Sequence, residues 1–272
     1  MRTAAVTSRT NPHVKQLRAA FAGNARLANG LVAIEGENLL YEAIRSGMLV
    51  DRIFLADDRP APDWLPSDTE VVDVDRDVLR SAVDTLSPQG IAALVRPPEW
   101  ALAKVCRPAD KPLVLIAAGL QDPGNLGTLV RSAEAFGAAC VLTTAGTVSI
   151  WNPKALRASA GSAFRVPVVR VSVSELTALQ REGLQLLAAV AEDSRGGPPP
   201  IPAAEADLSG ACALVIGNEG SGVADELLQI AGARITIPMP GPVESLNAAI
   251  AGSLLLYEAA RQRARRIGKE SR

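Results

Sequence analysis

Three short stretches of this chain set polar side chains among glycines and prolines where apolar runs stop. The first, Gly119 to Gly127 (GLQDPGNLG), supplies the Asn125 amide and leads into the Arg131 guanidinium. Asn125 is placed to cap a helix through its side chain. The second, Ile216 to Val223 (IGNEGSGV), supplies Asn218 and Glu219 among three glycines, which let a ligand come close to the backbone. The third, Ile237 to Asn247 (IPMPGPVESLN), has three prolines within five residues, which fix a stiff extended path. Ser245 then opens a long Ala/Leu-rich helix, with Ser245 and Asn247 in its first turn beside unsatisfied N–H groups. Amides, a carboxylate, a guanidinium and a hydroxyl can grip and polarise a small polar ligand. The second stretch is not a Walker loop, because it lacks the Gly-Lys-Ser/Thr ending, and its glycine order is not that of a dinucleotide-binding turn. The only histidine is His13, in a polar N-terminal stretch, so His-based triads and zinc sites are not expected, and no metal is expected. Each stretch alone has a plainer reading as a capped helix or a glycine-rich turn.

The elements around these stretches alternate. In the second half, apolar strands are predicted at 113–118, 139–143, 184–191, 212–217 and 234–238. Helices are predicted at 125–136, 153–160, 174–182, 224–231 and 245–266. Strands apolar throughout and separated by helices imply a parallel sheet covered on both faces, with ligands beyond the carboxyl ends of the strands. The first half reads as a small α/β domain. Its helices are 11–22 (Asn11 as cap, Pro12 at the first position), 37–46 ended by Gly47, and 75–83. Its strands are 31–34, 52–56, 70–74 and 91–95. The segment Arg96 to Pro112, with four prolines, reads as a linker, set at 99–111 between a domain of residues 1–98 and one of residues 112–272. A second Pro/Gly stretch, 196–202, reads as a surface loop.

Composition narrows the classes. The chain has 272 residues, 48% of them hydrophobic but only 3% aromatic, so its core must be built from Ala, Val, Leu and Ile. Net charge is −1, yet residues 1–34 contain no Asp or Glu and carry Arg2, Arg9, Lys15, Arg18 and Arg26. The C-terminus is also basic, with Arg261, Arg263, Arg265, Arg266 and Lys269. Two basic ends on a neutral body can track phosphates. Cys106, Cys140 and Cys212 have neither metal-ligand nor redox spacing and read as buried free thiols, which suits a reducing cytoplasm. No apolar run approaches the roughly 20 residues that span a bilayer, and the N-terminus lacks the apolar run of a signal peptide, so no membrane partner is expected.

Taken together and in this order, the three stretches resemble the motifs of the SpoU (TrmH-like) RNA 2′-O-ribose methyltransferases of the SPOUT superfamily. Asp122-Pro-Gly-Asn-Leu-Gly-Thr with Arg131 resembles the first motif. Gly217-Asn-Glu-Gly-Ser-Gly-Val resembles the second, and Ile237-Pro-Met with Glu244-Ser-Leu-Asn-Ala-Ala the third. Trp151-Asn-Pro-Lys and Arg157-Ala-Ser-Ala-Gly-Ser are also similar to the family. The first half, through Thr7-Ser-Arg-Thr-Asn-Pro-His-Val-Lys and Glu35-Gly-Glu-Asn, looks like the family's N-terminal RNA substrate-binding domain.

The resemblance implies an α/β fold: a C-terminal parallel-sheet trefoil-knot (SPOUT) domain plus a small N-terminal α/β RNA-binding domain. The knot comes from the resemblance alone, because threading is strongly disfavoured in general. It also implies a homodimer with its site at the subunit interface, S-adenosylmethionine as methyl donor, and RNA as substrate, rRNA favoured over tRNA. Cofactor contacts carried over fall on Gly217, Asn218, Ile237, Met239 and Leu246, with Thr143 nearby. The reaction centre falls on Arg131, Asn125, Glu219, Ser245 and Asn247. Arg131 is either the base that receives the 2′-hydroxyl proton or, since a guanidinium keeps its proton, an electrostatic stabiliser of the developing alkoxide or a phosphate grip. Glu219 would fix Arg131 by a charge-assisted pair, Asn125 would orient the ribose or Arg131, and Ser245 and Asn247 would position donor or ribose. Arg9, Lys15, Arg18 and Arg157 would contact RNA, Arg157 from the other subunit. The competing readings are a tRNA enzyme, a catalytically silent RNA-binding or assembly protein on the same fold, a nucleotide-dependent enzyme on a doubly wound sheet, and methyl transfer to a base atom.

Overall fold

The computed structural model describes residues 5–22, 26–67, 69–83, 85, 87–191 and 198–270, with side chains described to residue 266. Arg2 and the Lys269 side chain lie outside the described residues. The chain forms two compact units: 1–99 with 149–165, and 100–148 with 166–272. The chain therefore does not divide at a single linker. Residues 149–165 belong with the first unit: the helix Pro153–Ser159 packs on the strand Val32–Glu35, and Arg165 donates to Glu42 Oε2 at 2.6 Å and Ser46 Oγ at 3.1 Å.

In the first unit the elements are α1 (Pro12–Ala22), β1 (Val32–Glu35), α2 (Glu37–Arg45), β2 (Leu49–Ala56), β3 (Val71–Val74), α3 (Arg76–Arg80) and β4 (Ile91–Arg96). The sheet order is β1-β4-β2-β3, with only the β2–β3 pair parallel. Alternate residues point to opposite faces. Ala33, Phe54, Ala56, Ala92 and Leu94 meet Val14, Leu17 and Phe21 of α1 and Val78 and Leu79 of α3. The Asn11 side chain accepts from His13 N at 2.9 Å, as a cap followed by proline requires. The predicted helix 75–83 is shorter because Asp75 caps it, accepting from Asp77 N and Val78 N, and it ends after Arg80.

The predicted linker contains structure: α4 (Leu102–Val105) and a 3-10 turn at Pro108–Asp110. Then follow β5 (Leu113–Ala117), α5 (Pro123–Ala135), β6 (Cys140–Thr143), α6 (Pro153–Ser159, in the first unit), β7 (Val168–Arg170), α7 (Val173–Arg181), β8 (Gln185–Ala189), β9 (Ile201–Pro202), β10 (Cys212–Ile216), α8 (Asp225–Ile230), β11 (Ala233–Thr236) and α9 (Ala248–Glu270). The seven strands are parallel in the order β7-β6-β5-β10-β8-β11-β9. Every residue of β5, β6 and β10 is buried, as a sheet covered on both faces demands. Strands β7 and β9 escape sequence reading because they are three and two residues long at the sheet edges. Part of the predicted 196–202 loop lies outside the described residues; its end forms β9.

One face of the sheet packs on α4, α7 and α8, and the other on α5 and α9. Gly252 sets how closely α9 approaches, since a Cβ there would run into Leu129 of α5 and crowd Ile216 of β10. The Ser132 and Ser253 hydroxyls join α5 to α9 at 2.7 Å. The basic C-terminus is divided: Arg261 and Arg263 are part-buried and engaged, while Arg265 and Arg266 are exposed. Arg263 donates to the carbonyls of Leu208 (3.1 Å), Lys111 (2.8 Å), Pro112 (3.2 Å) and Gly210, and Arg261 pairs with Glu258. A planar fork with five donors is suited to several carbonyls at once, whereas an ammonium is a point charge. Replacing Arg263 with Ala should cost about 3 kcal/mol in urea unfolding, with Lys recovering only part; an unchanged midpoint would show that these carbonyls are satisfied by water.

Candidate active site

The three polar loops meet at the carboxyl ends of β5, β10 and β11. This is where the strand order reverses, since the chain runs outward from β5 to β7 and then crosses to the other side of β5. The first loop leaves β5 through Gly119, whose φ of +69° suits glycine. Thr147 fixes that turn by donating its hydroxyl to Ala117 O at 2.9 Å and accepting from Gly119 N at 3.0 Å. The cap of α5 is Asp122, not Asn125: its carboxylate accepts from Asn125 N at 2.9 Å, and Pro123 takes the first helical position. This frees the Asn125 side chain to leave the helix.

The second loop closes on itself. Asn218 and Gly222 exchange both backbone hydrogen bonds, at 2.8 and 2.9 Å. The Asn218 side chain accepts from Gly220 N at 2.9 Å and Ser221 N at 3.1 Å, and donates to Gly119 O at 2.8 Å. Gly217 is required by this return, because a Cβ there would collide with the backbone of Gly222 and Val223. Its glycine is explained by the loop's own closure before any ligand is considered. Asn218, expected to hold cofactor, spends its side chain and both backbone polar groups on the loop, so it shapes the wall.

The third loop reaches α9 at Ala248, three residues later than predicted. Asn247 is the cap, accepting from Ala249 N at 2.9 Å and Ile250 N at 3.2 Å, and Ser245 lies in the loop before it. An amide oxygen reaches the two free N–H groups and leaves its Nδ2 available. That nitrogen donates to Asn125 Oδ1 at 3.0 Å, and Asn125 Nδ2 donates to Glu219 Oε1 at 2.9 Å. Glu219 also accepts from Gln121 N at 3.4 Å and Asp122 N at 3.3 Å. A continuous polar chain, Asn247–Asn125–Glu219, thus joins all three loops.

Glu219 does not pair with Arg131. Arg131 is six residues beyond Asn125 on α5, about 9 Å along the axis and roughly 120° around it. It is exposed and makes no hydrogen bond or ion pair among the described residues. Burial alone would raise the Glu219 carboxyl, but hydrogen bonds from Asn125, its own backbone, Gln121 and Asp122 outweigh it and hold the group below the ordinary glutamate value.

Beside the polar chain lies a cavity of about 620 Å³ at the ends of β8, β10 and β11. Its wall includes Gly217, Glu219, Ile237, Met239, Ser245, Leu246 and Asn247. The volume is in the range of a cofactor site. Sequence reasoning missed Ala189–Ala191, which also line it, because nothing marks the end of β8 except its position in the sheet. Thr143 does not line it: it is buried at the end of β6, with β5 between β6 and β10, and its carbonyl accepts from Val171 N at 2.9 Å. In the first unit Arg9 and Lys15 are exposed on and before α1. Arg18 is tied to Ser81 O at 3.3 Å and Ser81 Oγ at 3.2 Å. Arg157 is exposed at the end of α6. Among the described residues no group of three or more His, Cys, Asp or Glu could hold a metal ion.

Residues 112–257 match the SpoU rRNA Methylase family, and residues 11–93 match the MRM3-like substrate binding domain. The 23S rRNA (guanosine(2553)-2′-O)-methyltransferase RlmP of Bacillus subtilis is 33% identical over 253 residues, covering 93% of this chain and 97% of that protein. Human mitochondrial rRNA methyltransferase 3 is 30% identical over 292 residues, covering 87% of this chain and 69% of its own length. Among solved structures, the SpoU methyltransferase AviRb from Streptomyces viridochromogenes in complex with AdoMet superposes with a TM-score of 0.82 at 27% identity, covering 93% of this chain and 98% of its own. An AdoMet-bound rRNA methyltransferase from Sinorhizobium meliloti gives 0.80 at 27% identity, covering 94% and 97%.

The pH behaviour of Glu219 follows from its depressed value. A carboxyl that is more acidic folded than unfolded contributes fully above the ordinary value of 4.5 and loses that contribution as pH falls through the lowered one. Glu219→Gln should therefore destabilise at neutral pH, by at most about 1 kcal/mol for so exposed a group. The difference from the parent in denaturant midpoint should shrink as pH is taken below that range; a constant difference down to acid pH would show that charge is not what the loops hold.

Proposed function

Because the chain belongs to the SpoU rRNA methylase family, we propose that its three-loop cavity seats the methyl donor beside a ribose 2′-hydroxyl of ribosomal RNA. The chain is an S-adenosylmethionine-dependent RNA 2′-O-ribose methyltransferase. One observation carries the assignment of the site: the Asn247–Asn125–Glu219 chain binds three distant segments into one edge of a cavity of donor size.

The cavity suits the donor chemically. Ile237, Met239 and Leu246 offer apolar surface to a flat base, and the turns around Gly217 and Ile237 offer main-chain groups to its edge. The donor, when bound, supplies an activated methyl group on a good leaving group, so the remaining difficulty is a weak nucleophile. Asn125 and Asn247 hold each other's amides in fixed orientation and present a pre-organised polar edge to the ribose. Ser245, exposed and without a capping duty, is available to the same ribose or to the donor. Glu219 positions Asn125 and the first loop. Arg131 carries no carboxylate partner, and a guanidinium is a fork of donors with no acceptor, so it acts by stabilising the developing alkoxide or gripping an adjacent phosphate.

Arg9, Lys15 and Arg157 are exposed cations suited to phosphates, and Arg18 orders the α1 surface through Ser81. Ribosomal RNA is favoured over tRNA by the substrate-binding domain match and by what relatives such as RlmP are named for. The passage from β11 through residues 237–247 to α9, which returns across β10 and β5, is where the family's trefoil knot would lie. Three buried free thiols fit a cytoplasmic protein.

A homodimer would be built on α9. Ile250, Leu254 and Tyr257 recur at helical spacing and are 53%, 44% and 54% exposed, an apolar stripe beside the site. Such a stripe on an isolated subunit asks for cover. Leu254→Asp should shift sedimentation equilibrium from dimer to monomer; a parent that already sediments as a monomer removes this part of the reading.

The catalytic assignment is tested on unmodified rRNA and tRNA with labelled donor, mapping the methylated nucleoside. A single 2′-O-methyl in rRNA is expected; a methylated base or a tRNA product contradicts the reading. Arg131→Ala should lower turnover more than about 100-fold while calorimetry shows donor affinity within about twofold. Near-normal turnover removes Arg131 from the chemistry.

A further inference from the structure

The cavity wall has an uneven charge. Among its described residues are two carboxylates, Glu219 and Asp225, and no Lys, Arg or His. Glu219 is committed to the first loop. Asp225 is exposed, opens α8 on the wall side, and holds no hydrogen bond or ion pair among the described residues. Glu226, the next residue, is not part of the wall. The α8 cap, Ala224, offers no side-chain oxygen, so Asp225 has one plain structural duty: an acid in the first turn of a six-residue helix. That duty contributes only a few tenths of a kcal/mol at an exposed site, and Glu226 can share it.

We infer that Asp225 is a specificity-determining residue that selects the donor over its spent product by charge. The inference rests on the cavity being the donor site. The sulfonium donor carries one more positive charge than its thioether product, and the two are otherwise nearly alike in shape. Apolar contacts and backbone hydrogen bonds to the base therefore hold both equally and cannot tell them apart. A wall with carboxylates and no Lys, Arg or His of its own favours the cationic form and lets the neutral product leave. Glu219 contributes to the same field, but its removal would also loosen the loops, whereas Asp225 can be changed without touching that chain.

The test is calorimetric binding to the full chain, without RNA, at neutral pH. Three ligands are used: S-adenosylmethionine, S-adenosylhomocysteine, and sinefungin, which carries an amine in place of the sulfonium. Asp225→Asn should weaken S-adenosylmethionine and sinefungin about fivefold, the upper range for an exposed charge pair, and S-adenosylhomocysteine less than twofold. Glu226→Gln should leave all three unchanged, and thermal unfolding should show both variants folded. Equal weakening of all three would place Asp225 on a group the ligands share, and no weakening would leave it with the helix alone; either result overturns the inference. A parent chain that binds none of the ligands would remove the donor-site reading itself, a result distinct from both.

Discussion

The Glu219 carboxylate is the contact on which the site depends. It sits at the end of a loop from the middle of the sheet and accepts hydrogen bonds from two backbone N–H groups and one amide of a loop more than ninety residues earlier in the chain. A carboxylate is an acceptor only and can serve several donors at once. Without it, the Gln121 and Asp122 N–H groups would face solvent and the Asn125 amide would be free to turn. With it, Asn125 has one orientation, and its oxygen can meet only a donor, which Asn247 supplies. The order of the third loop is thus inherited from the first through two amides.

Such a chain is possible only because neighbouring backbones come unusually close. Gly217 lets the second loop fold back against Gly222 and Val223, and Gly252 lets α9 lie against Leu129 and Ile216. These two glycines set the distances at which Asn218 reaches Gly119 and Asn247 reaches Asn125. The Arg263 fork does similar work at the opposite end of α9, where it gathers the carbonyls of Lys111, Pro112, Leu208 and Gly210. The long helix is therefore fixed at both ends, by an amide cap beside the site and by a guanidinium beneath the sheet.

Charge is divided by task. Within the two basic ends, Arg263, Arg261 and Arg18 are engaged by other groups of the chain, whereas Arg9, Lys15 and Arg265 stay exposed, as do Arg131 and Arg157 outside those ends. The cavity wall is acidic in a chain of near-neutral net charge.

The sequence by itself determined the fold class, the alternation of apolar strands and helices, the two-part layout, and the identity of the three loops, because these are local properties of period, capping and turn chemistry. Its resemblance to a family pointed to Gly217, Glu219, Ile237, Met239, Ser245, Leu246 and Asn247, which the structure brings to one cavity, and to Asn125 in the hydrogen-bonded chain beside it. Only the tertiary structure decided who bonds to whom. Asp122 rather than Asn125 caps α5, since both are good caps and only the incoming path of the chain selects between them. Asn247 rather than Ser245 caps α9, since the prolines hold the loop extended for longer than composition reveals. Glu219 turned to Asn125 and away from Arg131 because two residues on one helix need not share a face, Thr143 was cut off from the cavity by the intervening β5, and residues 149–165 joined the first unit, where Arg165 finds Glu42 and Ser46. Those outcomes are set by distances between segments far apart in the chain, which no local pattern records.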